Sequence, residues 1–179
     1  MCVSLIAATK VVFLSTEYRD VIKKKLSLFF SDKRTAVIPN GVDLEVYRPA
    51  EKSDHTGISI GMQSRLSETK DHIAGDGVCR AALEKQVQNL NIGHAVEFTG
   101  MLEETALPKF INSLDIYVHA TLGETMSTAI MQVMACRLPI IASDVLGVNN
   151  MIKHHKNGLL VPAKNAEALS AAILQLIQD

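Results

Sequence analysis

At 179 residues the chain is long enough for one hydrophobic core plus a fragment of a second. Its 47% apolar content is ordinary for a globular protein, and a net charge of −1 excludes the basic footprint of a nucleic-acid binder. Cys2, Cys79 and Cys136 are odd in number and far apart, forming neither a CxxC pair nor a disulfide framework, which suits a reducing cytosol.

No apolar run approaches the ~20 residues of a membrane span. The first fifteen residues partly imitate a signal peptide, but they lack a basic start and Lys10 interrupts the apolar stretch. They read as internal sequence exposed by truncation.

In chain order, residues 10–14 (KVVFL) make a short strand, and Ser15 or Thr16 caps a helix running from residue 17 to about residue 30. Tyr18, Val21, Ile22, Leu26 and Phe29 share one side of it, and Lys23, Lys24 and Lys25 suit the negative end of its dipole. A second strand covers 36–38 and runs into the turn Pro39-Asn40-Gly41. From residue 58 onward strands and helices alternate. Strands are expected at 58–62, 96–99, 116–120, 140–142 and 158–161, and helices at 78–89, 105–113, 127–136, 147–153 and 165–177. That alternation predicts a Rossmann-like α/β fold, a parallel sheet with helices on both faces, whose ligands bind at the carboxyl ends of the strands. On the last helix Ala168, Leu169, Ala172, Ile173 and Leu176 form a core stripe. Gly75 and Gly77 are turn formers, because GDG is not GxGxxG.

Several stretches together resemble one family. VIPNGVDLEVYRP (37–49) resembles the interdomain segment of retaining glycosyltransferases of the GT-B architecture, family four. Ser64-Arg65-Leu66 followed by Lys70 resembles that family's Gly-Arg-Leu-x3-Lys loop, and residues 73–77 its AGDG turn. FTG (98–100), SLDIYVHAT (113–121), the GET…MAC…PIIASD stretch (123–144) and NGLLVP (157–162) follow in the family's order. The resemblance implies that residues 1–40 end an N-terminal acceptor domain and its linker, and that 41–179 form the nucleotide-sugar-binding domain, one half of a GT-B fold. It also implies a cytoplasmic hexosyltransferase, at the membrane face when full-length, using a nucleoside-diphosphate sugar and a saccharide or lipid-linked acceptor. No further cofactor is implied. The isolated chain is expected to bind donor without turning it over, most of the acceptor half being absent.

The helix starting near Ser127 leaves its first amides unpaired, and its dipole favours an anion there, so the backbone of Met126, Ser127 and Thr128 suits a phosphate. Glu124 just outside either compensates the dipole or, as the resemblance implies, takes hydrogen bonds from the donor sugar. Gln132 stands where the family has a glutamate that grips both ribose hydroxyls. An amide has one carbonyl acceptor, so that grip weakens, unless Gln132 is simply a helix-surface residue. The chain has no Asp-x-Asp pair for a Mg²⁺–diphosphate complex. An arginine fork with a lysine point charge can replace the metal, so Arg65 and Lys70 either serve the leaving diphosphate, the preferred reading, or are solvated loop charges. The resemblance turns the backbone at Gly100 and Met101 toward the nucleobase. His94, His119, His154 and His155 lack metal-ligand spacing; His119, at a strand end, either approaches the site or, the preferred reading, is a core or edge histidine.

Some positions depart from the family. Arg137 replaces a usual glycine, Leu146 stands at a Gly-Gly pair, and Asn150 replaces a common glutamate. Asp71-His72 occupies the place of a full helix and most of a strand, too few residues for a parallel crossover. Either a βα unit is lost or the sequence skips residues. The expectation is a spatial break near 72–73 or an exposed sheet face there. These departures keep two other readings open, a non-catalytic nucleotide-sugar-binding module and a nucleotide-sugar epimerase of the same architecture.

Overall fold

A computed structural model describes residues 9–25, 32–51, 57–63 and 77–178. The first elements are β1 (Val11–Phe13), α1 (Thr16–Lys25) and β2 (Thr35–Val37), the two strands pairing in parallel with Val12 opposite Ala36. Ser15 caps α1, its Oγ accepting from the Tyr18 amide at 3.1 Å. The three lysines occupy the last turn of α1 as expected.

A second sheet holds β3 (Ile60–Gly61), β4 (Ile116–His119), β5 (Ile140–Ser143) and β6 (Leu159–Val161), all parallel and in that order. Helices α2 (Arg80–Asn89) and α3 (Leu107–Asn112) lie between β3 and β4, α4 (Thr128–Ala135) between β4 and β5, and α5 (Ala166–Gln178) follows β6. Every residue of β4 and β5 is buried, as a parallel strand covered on both faces requires. The pleat divides their side chains. Tyr117, Ile140 and Ala142 join Ile111, Ile130, Val133, Leu138, Val148 and Ile152 on the α3–α4 side. Ile116 and Ile141 join Leu159, Val161 and the stripe of α5, which is Ala168, Leu169, Ala172, Ile173 and Leu176 as expected.

Two expected elements are absent. Residues 96–100 are irregular, although their apolar pattern suggests a strand, since a strand exists only where a ladder partner accepts its hydrogen bonds. The segment is braced by α2 instead. Arg80 donates to the Phe98 carbonyl at 3.4 Å and lies 5.9 Å from the Phe98 ring centroid. The expected helix at 147–153 is a turn, closed by the amides of Met151 and Ile152 on the Val148 carbonyl. So short a segment does not recover the cost of nucleating a helix.

The loop carrying Arg65 and Lys70 and the junction at 72–73 lie outside the described residues. In β3, the end strand of the sheet among the described residues, and its approach, Ile58 and Ile60 are 49% and 42% exposed.

Candidate functional site

The carboxyl end of β4 leads into the loop Thr121–Thr125 and then into α4, so the loop and the helix start face each other across a few residues. Ser127 is the N-cap of α4, in an extended conformation (φ −85°, ψ 110°), and its Oγ accepts from the Ile130 amide at 3.3 Å. The Met131 amide reaches the Ser127 carbonyl at 3.3 Å. The helix itself then offers no partner to the amides of Thr128 and Ala129, and these two donors stand at the positive end of its dipole.

Glu124 comes to the same place. Its Oε1 lies 3.0 Å from His119 Nε2, and that nitrogen lies 3.4 Å from Ser127 Oγ. The Glu124 side chain is 15% exposed and the His119 side chain 7%. The loop is held from behind by β5's exit. The Glu124 amide donates to the Leu146 carbonyl at 3.2 Å, and Gly147 lies directly under the Glu124 carbonyl. With φ +89°, and with a Cβ there overlapping that carbonyl, only glycine fits at 147. The family-like glycine is therefore kept at the position where the backbones touch, although Leu146 has replaced its neighbour.

Gln132 is buried, not on the helix surface. Its Nε2 donates to Tyr47 Oη at 2.8 Å, and its Oε1 is buried without a partner among the described residues. Burial, and then the Glu104 carboxylate, pushes the Tyr47 hydroxyl's pKa up, so Tyr47 stays neutral. The segment before Tyr47 is tied to the same helix, with Asn40 Nδ2 donating to Thr128 Oγ1 at 3.3 Å. Farther along, Asn112 of α3 clasps it through the Arg48 carbonyl and the Ala50 amide.

The structure thus gathers Glu124, Met126, Ser127, Thr128 and Gln132 along the start of one helix. Gly100 lies beside Arg80 of α2. A Cβ on Gly100 would meet Arg80 at 3.5 Å, and Met101 is 84% exposed. Tyr47 is not legible as a site residue in the sequence, and for His119 the sequence leaves two readings, a core or edge histidine or a residue approaching the site. His119 is indeed buried, but it also bonds Glu124. The available signal was position, since a strand's last side chain faces the loop that follows it. A separate cleft of about 580 Å³ opens at the carboxyl ends of β4, β5 and β6 beside the start of α5. His119 reaches its wall, whereas Glu124 and Ser127 do not.

The family model for glycosyl transferases group 1 matches residues 60–179. The chain belongs to that family. A GDP-mannose-dependent alpha-mannosyltransferase of Mycolicibacterium smegmatis is 33% identical over 163 residues, covering 78% of this chain and 42% of its own length. A putative teichuronic acid biosynthesis glycosyltransferase of Bacillus subtilis is 29% identical over 157 residues, covering 88% of this chain and 36% of its own. Among solved structures, Anabaena HepE in complex with UDP and glucose superposes with a TM-score of 0.82 at 22% identity, over 96% of this chain and 54% of that one. The fold is that of one half of a GT-B glycosyltransferase, and the chain spans less than half the length of those two curated relatives.

Proposed function

We propose that the chain is the donor-binding half of a retaining, metal-independent hexosyltransferase. It would take a nucleoside-diphosphate sugar and act, with an acceptor domain, on a saccharide or lipid-linked acceptor at the cytoplasmic face of a membrane. Residues 41–179 would form the donor domain and 1–40 the end of the acceptor domain with its linker. The carrying observation is the pairing of α4 amides that have no partner within their helix with a mostly buried carboxylate, Glu124, at one helix start. Amides at the positive end of a helix suit a diphosphate, and a carboxylate beside them suits the hydroxyls of the attached sugar. The names of the relatives, one GDP-mannose-dependent and one crystallised with UDP and glucose, support this ligand class.

In this reading Arg65 and Lys70 neutralise the departing diphosphate, and the lack of an Asp-x-Asp pair supports chemistry without a metal. Gln132 would offer the ribose a single acceptor, its Oε1, after a side-chain turn away from Tyr47, and the Gly100–Met101 backbone would meet the base. Calorimetric titration of the chain with UDP-glucose, GDP-mannose, UDP and GDP tests the proposal. Saturable binding of one matched pair is expected, weakened by about 1–3 kcal/mol in Arg65→Ala or Lys70→Ala. Binding that neither substitution changes would remove those two residues from the site. Binding of no nucleotide would overturn the reading.

A further inference from the structure

We infer that His119 is a positioning residue that presets the Glu124 carboxylate for the donor sugar. The inference rests on the donor-binding reading above. His119 ends β4 with its side chain on the α4 side of the sheet, two residues after Tyr117 and therefore on the same face. The two rings are stacked, 19° from parallel with centroids 6.2 Å apart. Tyr117 is fully buried, and its hydroxyl accepts from the Gln63 amide at 3.2 Å, so the surface against which His119 lies is fixed.

On the other side Nε2 meets Glu124 Oε1 at 3.0 Å and Ser127 Oγ at 3.4 Å. A carboxylate only accepts, so Nε2 carries the hydrogen and donates it, chiefly to the nearer Glu124. Ser127 Oγ is itself held by the Ile130 amide, and the Glu124 backbone is held by the Leu146 carbonyl above Gly147. The loop 121–125 contains a glycine and sits at the site's edge, where a free glutamate would sample several rotamers. The His119 hydrogen bond narrows that choice before the ligand arrives. A ligand meeting a preset carboxylate does not have to order it. The benefit appears only for a ligand that touches Glu124, which is the sugar and not the nucleotide.

The test measures the sugar-dependent gain, the ratio of the nucleoside-diphosphate Kd to the nucleotide-sugar Kd, for the donor pair that the chain binds in the UDP/UDP-glucose and GDP/GDP-mannose panel. His119→Leu should lower that ratio roughly 3- to 10-fold while leaving the diphosphate Kd unchanged. His119→Gln, whose side-chain amide places an N–H donor near the same point, should restore most of it. Two results would overturn the inference: an unchanged ratio in His119→Leu, or a His119→Gln variant as poor as His119→Leu, which would make the ring's packing the cause. Equal losses for both ligands would overturn it as well. If His119→Leu does not fold, the His119→Gln comparison is joined by ¹⁵N NMR of the unliganded protein. The ring should be the Nε2–H tautomer, with a shift that moves in Glu124→Gln, and an Nδ1–H tautomer would overturn the proposal. A wild-type chain that binds no member of the panel overturns the proposed function and this inference together.

Discussion

Helices α4 and α5 pack on opposite faces of the same parallel sheet, yet they do so with different chemistry. The packed centre of the α5 face is apolar, with its stripe lying on Ile116, Ile141, Leu159 and Val161, and buried Ser143 at the end of β5 accepts from the Thr121 amide at 3.1 Å. The α4 face has an equally apolar centre in Ile130 and Val133, but it also buries Ser127, His119 and Gln132, each hydrogen-bonded across to another element or to a cap. Burying a polar group is tolerated only when its partners are in place, so polar burial concentrated on one face marks a place where something besides packing is being served. The sheet physics is common to both sides, and the candidate site lies on the α4 side.

The strongest way to break this comparison is to damage the α5 side. Ile141→Ala removes a fully buried side chain from that cluster and should lower stability by about 2–5 kcal/mol in denaturant unfolding. The nucleotide affinity of the folded fraction should not change. A parallel loss of affinity would show that the two faces are not separable.

On the α4 side, Tyr47→Phe leaves the buried Gln132 amide without its partner and should cost about 1–3 kcal/mol. Adding Gln132→Leu should return part of that loss, because an apolar pair has nothing left unsatisfied. Strict additivity in the double-mutant cycle would mean that the hydrogen bond contributes nothing. Gln132→Glu offers ribose an additional acceptor and should tighten nucleotide binding by on the order of 1 kcal/mol. The gain should vanish for a 2′-deoxy nucleotide. Equal gains for both nucleotides in calorimetry would remove residue 132 from the ribose.

The smallest effect concerns the end of α4. Arg137 has φ +57° and closes a Schellman motif, its own amide on Met134 O at 3.0 Å and the Leu138 amide on Val133 O at 3.3 Å. The Cβ of arginine is disfavoured in that conformation, so the glycine expected from family resemblance has a backbone reason there. Arg137→Gly should stabilise by about 0.5–1 kcal/mol in thermal or chemical unfolding and leave nucleotide binding as it was. The departure at 137 therefore bears on stability and lies outside the chemistry of the site.

Local signals carried much of the fold into the sequence. Ser127 as the start of a helix, the stripe of α5 and the strands β4 to β6 were legible to within a residue or two, because caps and 3.6- or 2-residue periods are written in neighbouring positions. Residues 96–99 carried a strand's composition and did not form one, since a ladder partner is supplied from elsewhere in the chain and no local pattern encodes it. The candidate site divided the same way. Glu124, Ser127 and Thr128 follow one another and are legible together, whereas the partner of Gln132 stands 85 positions away and is not.

By itself, then, the sequence determined a parallel α/β domain, the place where a helix start meets a carboxylate, and the apolar face of the last helix. Tertiary structure alone decided that Gln132 turns inward to Tyr47, a partner 85 positions away, and that the last side chain of β4 holds Glu124. The physical reason is range. Helix caps and periodic faces arise from interactions within one or two turns, while a buried hydrogen bond between distant residues exists only after packing has excluded water and brought donor and acceptor to within about 3 Å.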